Sequence, residues 1–410
     1  MPPKPLRSAP ASDAFEQARR LFMQGLAFLE SGRAAQAEEC FLSSLELQPD
    51  RVSTLINLAA SRLDLGRPQD ALPVVEQVIG IEPENLDAWF HRGTAFGLVD
   101  RNEEALASFE RLLSIDDRFA EPWLRHGQVL QSLKRPEQAL ASYERALSID
   151  PALAEAWSNR GGILQEMRRF DEAAESFRQA LAHGGDHDLN AYYLASVGGA
   201  GAPAGAPASY VRTLFNDYAD QFEDHLVKVL HYRGHTALAG HLATVAPQRF
   251  RSALDLGCGT GLCAPLVEPL AERLTGVDLS RQMLDKAAAL GLYDCLLEAD
   301  IAQHLEETAA SHDLVIAADV FIYVGDLAPI FAGVRRVLDP GGVFCFSVEL
   351  AAPGCSSFEL RPSLRYAHAE TYLRRLAADH AFEVAQVCRE ILREDQRTPI
   401  DGLLVYLTAR

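Results

Sequence analysis

The 410-residue sequence predicts two architectures in succession: a superhelix of paired α-helices, then an α/β domain built on a doubly wound, mostly parallel sheet. Three observations predict this. The three tryptophans, Trp89, Trp123 and Trp157, stand 34 residues apart, a fixed period of the kind that marks a repeat array. Residues 198–208 read GGAGAPAGAPA, a composition that cannot build a core and reads as a boundary. Beyond it, short apolar runs alternate with helical stretches, the pattern of strand–helix–strand units.

The repeats are internally regular. Gly93, Gly127 and Gly161 follow each Trp by four positions, Ala105, Ala139 and Ala173 by sixteen, and Phe109, Tyr143 and Phe177 by twenty. Earlier units begin near Ala18 and Val52, so five units span about 18–185. Apolar residues recur at three and four, the helical period. Small residues at fixed places let two helices approach, and Pro49, Pro83, Asp117 and Pro151 punctuate the register. These residues resemble the tetratricopeptide repeat. The expected division is a disordered tail at 1–14, repeats with a capping helix at 15–197, a flexible Gly/Ala/Pro linker at 198–208, and a second domain at 209–410. The resemblance implies a concave groove that grips an unknown protein or peptide. Its expected facing residues, among them Phe90, Glu121, Leu124 and Glu155, are mixed apolar and acidic, which suits an apolar or basic segment.

In the second half, helical stretches are expected near 209–231 and 234–246, and strands at 252–256, 273–278, 294–298, 313–318 and 343–348. Runs at 382–391 and 401–408 follow without an intervening helix and predict an antiparallel pair, making seven strands. The first strand leads into Leu254-Asp-Leu-Gly-Cys-Gly-Thr-Gly261. Glycines there permit a tight turn and close approach of a ligand to the backbone, and the next helix points its N–H groups at that ligand. A dinucleotide fingerprint would place its last glycine at 262, where the chain has Leu262. That weighs against a nicotinamide-dependent oxidoreductase.

The stretch DLGCGTG resembles class I S-adenosylmethionine-dependent methyltransferases, which implies a Rossmann-like seven-stranded sheet and S-adenosylmethionine as cosubstrate, with no metal. In that resemblance Asp255, Gly257, Gly259 and Gly261 form the cradle. Asp278, at the end of the second strand, takes the ribose hydroxyls, and Leu279 packs on the adenine. Asp300 meets the adenine amino group with Ile301 beside it, and Asp319 flanks the methionine part. Upstream, Leu214, Tyr218 and Phe222 fall on one helical face, and Tyr218 and Phe222 are expected to form an aromatic lid over the sulfonium. That segment, with Arg365-Tyr-Ala-His-Ala-Glu-Thr-Tyr372, resembles a bacterial group of tetratricopeptide-repeat-containing predicted methyltransferases. His368, Tyr366 and Tyr323 are the candidates for a general base. Cys258 and Cys263 are expected to be small buried packers.

The formal charge is −19, shared almost evenly between the halves. That disfavours nucleic acid and anionic membranes as partners. No Asn/Asp-Pro-Pro-aromatic sequence follows the fourth strand, which counts against exocyclic base amines as acceptors. Seven cysteines without C-x-x-C spacing, no secretory apolar region after Met1, and no apolar run of about 20 residues predict a cytoplasmic protein. The expected function is methyl transfer to a small-molecule hydroxyl or carboxylate or to a protein side chain, with the repeats recruiting a partner. The alternative is a repeat scaffold carrying a catalytically silent methyltransferase fold.

Overall fold

The computed structural model describes residues 10–219, 222, 224–246, 249–395 and 398–410, with the side chains of 10–12, 217, 218, 224, 225, 227 and 395 left aside. The chain separates into two units, Met1–Gly185 and Asp186–Arg410.

The first unit is built from five helix pairs: Pro10–Glu30 with Ala34–Leu47, Val52–Asp64 with Pro68–Ile81, Leu86–Gly97 with Asn102–Ile115, Ala120–Ser132 with Pro136–Ile149, and Ala154–Glu166 with Phe170–Ala182. The packing explains the conserved register within the chain. A Cβ at Gly25, Gly93, Gly127 or Gly161 would lie 2.5–2.7 Å from the ring of Phe41, Phe109, Tyr143 or Phe177. Each glycine is the hole for its own aromatic knob. In the second pair the knob is Val75, and the hole is filled by Ala59; both are fully buried. Each Trp indole also donates six residues back, to the carbonyls of Pro83, Asp117 and Pro151 at 2.9, 3.0 and 2.8 Å. This pins the start of each unit to the preceding turn.

The second unit holds β1 Ala253–Leu256, β2 Leu274–Asp278, β3 Cys295–Glu298, β4 His312–Ala317, β5 Leu338–Leu350, β6 Phe358–Leu360, β7 Tyr366–His368, β8 Phe382–Asp395 and β9 Thr398–Ala409. β3, β2, β1, β4 and β5 run parallel in that order. β9 pairs antiparallel with both β5 and β8. These are the seven expected strands. The added pair is β6–β7, set beside the far end of β5 through Glu349 and Leu350. Strand order reverses between β1 and β4, so a crevice opens at their carboxyl ends. Two apolar layers close the sheet, one around Phe321, Phe331, Phe344 and Phe346 and the other around Leu238, Leu242, Phe250 and Tyr406.

The boundary between units falls at 185/186, upstream of the expected 197/198. Helix His187–Ser196 groups with the second unit. Its Tyr192 is fully buried, donates to the Leu364 carbonyl at 2.6 Å, and meets the rings of Tyr210 and Tyr366 at 5.5 and 6.2 Å. The Gly/Ala/Pro segment is likewise bonded in place, which corrects the expectation of a free hinge. Gly205 bridges Val324, the Ala206 N–H donates to Tyr323 O, and the N–H groups of Gly325 and Asp326 donate to Ala204 O. Tyr366 donates to Pro203 O at 2.9 Å. The segment docks through its backbone, which small side chains allow. No helix among the described residues is long and apolar enough to cross a membrane.

Candidate active site

The crevice above β1, β2 and β4 encloses about 270 Å³, near the lower end of ligand pockets at ~300–1,000 Å³. Its floor is the turn after β1. Gly257 sits at φ 64°, and a Cβ there would lie 2.5 Å from Val320 Cγ2. Only glycine lets this turn pass the β4 loop.

Asp278 ends β2 and is 9% exposed. Its Oδ2 accepts from the Gly259 N–H and its Oδ1 from the Ser280 N–H, both at 2.8 Å. The carboxylate therefore orients the glycine turn and keeps lone pairs on both oxygens for a ligand. Burial raises its pKa, and these N–H donors oppose the rise. Ser280 caps the next helix through Met283 N and donates to Asn216 Oδ1 at 2.6 Å, tying helix Ala208–Tyr218 to the end of β2. Asp255 accepts from Tyr293 Oη at 2.7 Å, and burial pushes its carboxyl up to about 7.

Asp300 lines the crevice and also caps helix Ile301–Glu307, accepting from Ala302 N and Gln303 N at 2.9 and 3.1 Å. Leu279 and Ile301 line the same wall. Asp319 borders it with a left-handed backbone, φ 61°. Arg393 binds its carboxylate at 2.5 Å and reaches Glu349 with the other guanidinium nitrogen; Arg361 bonds Glu349 at 3.0 Å from outside. A fully buried guanidinium thus pairs with two carboxylates and fixes their positions.

The lid differs from expectation in detail. Phe222 lines the crevice, and its neighbours there are Phe215, at 5.8 Å, and beyond it Tyr323, at 5.4 Å. The side chain of Tyr218 lies outside the described residues. Leu214 is not among the described residues that line this wall. Of the candidate bases only Tyr323 borders the crevice. Tyr366 and His368 are fully buried in β7. His368 bonds Gly325 O at 3.0 Å, stacks on Tyr372, and is held down to about 4 by burial. Both act as supports for the 323–326 loop, so neither is assigned to the chemistry.

Sequence reasoning missed Tyr232, His235, Thr260 and the strap Gly205–Ala206, all on the crevice wall. Thr260 was visible in the glycine motif itself. The strap was hidden by a composition that reads as linker. Cys258 and Cys263 are buried at the floor, with both thiols raised by burial.

Residues 254–346 match the family model for a methyltransferase domain, residues 118–183 that for the tetratricopeptide repeat, and residues 5–118 that for a bacterial transcriptional activator domain. Similar curated proteins include a ubiquinone biosynthesis O-methyltransferase of Thiobacillus denitrificans, 34% identical over 25% of this chain and 47% of that one. A malonyl-[acyl-carrier protein] O-methyltransferase of Enterobacter lignolyticus is 32% identical over 37% and 62%. A dimethylglycine N-methyltransferase of Parasynechococcus marenigrum is 33% identical over 28% and 43%. The chain spans about half the length of these relatives. Among solved structures, magnesium protoporphyrin IX methyltransferase from Synechocystis with bound SAH is 18% identical, covering 50% of this chain and 99% of that one, TM-score 0.39. The tetratricopeptide-repeat protein YrrB is 18% identical, covering 45% and 97%, TM-score 0.38.

Proposed function

We propose that this chain, which joins tetratricopeptide repeats to a methyltransferase domain, binds S-adenosylmethionine in the crevice and transfers its methyl group to an acceptor, while the repeats bind a protein or peptide partner. The observation that carries the reading is Asp278. It is a buried carboxylate aimed by two backbone N–H groups beside a glycine turn, with acceptor capacity left on both oxygens for vicinal hydroxyls. Leu279 and Ile301 supply apolar faces for a purine. Thr260 Oγ1 is buried without a hydrogen-bond partner, which fits a site completed by a polar ligand tail.

The methyl donor arrives activated as a sulfonium. The protein then has to hold it, orient it and exclude water. Phe215, Phe222 and Tyr323 provide an apolar, π-rich wall for that purpose. The relatives named O-methyltransferases support an oxygen acceptor. The unpaired, buried Cys40, Cys258, Cys263 and Cys345 support a reducing, cytoplasmic setting. Isothermal calorimetry with S-adenosylhomocysteine tests the reading: one site per chain is expected. Absence of heat at millimolar ligand would leave only the scaffold with a silent fold.

A further inference from the structure

Two polar groups on the crevice wall have no task in the donor site. Tyr232 is 3% exposed. Its ring stacks on His235, with centroids 5.3 Å apart and planes 21° apart. His235 Nδ1 is buried with no hydrogen-bond partner, and Tyr232 Oη is buried with only Ser347 beside it, at a geometry that completes no hydrogen bond. A buried group left in that state costs about 1–3 kcal/mol, so a pair of them in one cavity points to a ligand that pairs them. Both border the crevice near Asp319, the end away from Leu279 and Ile301.

The surroundings select the ligand's class. Among the described residues the crevice lining contains Asp255, Asp278, Asp300 and Asp319 and no Lys or Arg, the Arg365 guanidinium standing behind it against Tyr323. A carboxylate acceptor would enter a field of its own sign. The nearby buried guanidinium, Arg393, is already held by Asp319 and Glu349. An ammonium acceptor would set a second positive charge against the sulfonium in a low-dielectric pocket. A neutral hydroxyl meets neither penalty, and Phe222 and Leu226 beside Tyr232 offer an apolar berth for its body.

We propose that Tyr232 and His235 form the acceptor corner of the crevice, that it takes an uncharged acceptor with a hydroxyl on an apolar body, and that His235 is the base. The inference rests on the methyltransferase reading. An oxygen lone pair forms the bond to the methyl carbon, and the carbon–sulfur bond breaks with its pair going to sulfur. The hydroxyl proton passes to His235 Nδ1, leaving an ether, a thioether and an imidazolium. Burial lowers the His235 pKa against the opposing pull of Asp319, which keeps the ring neutral and able to accept.

The test uses the full chain, methyl-tritiated S-adenosylmethionine, and three probes sharing one body: 4-butylphenol, 4-butylbenzoate and 4-butylbenzylamine. Tritium is expected in the phenol alone. His235→Gln should lower kcat on the phenol about a hundredfold, the scale of general base catalysis. Tyr232→Phe should act mainly on KM, and both should leave S-adenosylhomocysteine affinity within about twofold. His235→Asn, measured in parallel, covers the case in which one variant folds poorly. Label in the benzoate or the benzylamine, label in none of the probes, an unchanged kcat in the His235 variants, or a large loss of S-adenosylhomocysteine affinity would each overturn the proposal. Failure of the wild type to bind S-adenosylhomocysteine would instead overturn the donor-site reading.

Discussion

Asp278→Asn separates the structural duty of this carboxylate from the donor-binding duty proposed for it. In the wild type each oxygen accepts one backbone N–H at 2.8 Å. Asparagine offers one oxygen and one NH₂, so either the Gly259 or the Ser280 N–H must face a donor. An unpaired buried N–H costs about 1–3 kcal/mol. Against this, the substitution removes a buried charge whose desolvation already raises the wild-type pKa. The two contributions oppose, and the melting temperature should move by only a few degrees. Ligand binding has no such offset. A hydrogen bond to a charged acceptor contributes about 1.5–3 kcal/mol, so losing one ribose contact should weaken S-adenosylhomocysteine binding roughly 10- to 150-fold. Calorimetry at neutral pH, with a melting curve as control, reads both. A variant that melts normally and binds like the wild type would refute the placement of the ribose.

Three further outcomes follow from the same geometry. Gly257→Ala combines a left-handed φ with a Cβ 2.5 Å from Val320; urea unfolding should show a loss of about 1–3 kcal/mol, partly recovered by Val320→Ala. A chain beginning at Asp186 should bind S-adenosylhomocysteine like the full chain, whereas one beginning at Ser209 should not, because it lacks Tyr192 and the strap; calorimetry decides. Asp255 titrates near 7 when folded against about 3.9 when unfolded. The unfolded chain therefore loses this proton first, and wild-type stability falls from pH 4 to pH 7 and then levels. Asp255→Asn removes that slope, so its advantage over the wild type in urea unfolding should grow across that window; a gap constant with pH contradicts the buried carboxyl.

The repeats were legible because their rule is local. A ring and the glycine that receives it lie sixteen residues apart, and the period repeats the pair often enough to be read. The turns show the limit of that reading. Gly32 and Gly66 announce a left-handed position, but Asp100, Lys134 and Arg168 adopt the same conformation at the same register, held there by the helices on either side. The glycine motif and Asp278 were legible for a similar reason, since a turn needing positive φ and a strand-ending carboxylate leave marks in sequence. His235 leaves none. It became a candidate only when the crevice brought it beside Tyr232. Tyr366 and His368 failed as bases for the converse reason: β6 and β7 are three residues each, too short to show alternation, and so their burial could not be read.

The strap carries the same lesson into function. A Gly/Ala/Pro run reads as freedom when it stands alone, because it has nothing to bury. Laid against residues 323–326 it becomes a wall, since small side chains let its backbone pair with a neighbouring backbone. It then feeds into helix Ala208–Tyr218, whose Asn216 is bonded to Ser280, two residues from Asp278. The segment leading into the sheet domain therefore shapes the crevice at two points. If the proposed donor binds more tightly when the strap is docked, linkage requires that the donor favour the docked strap by the same factor.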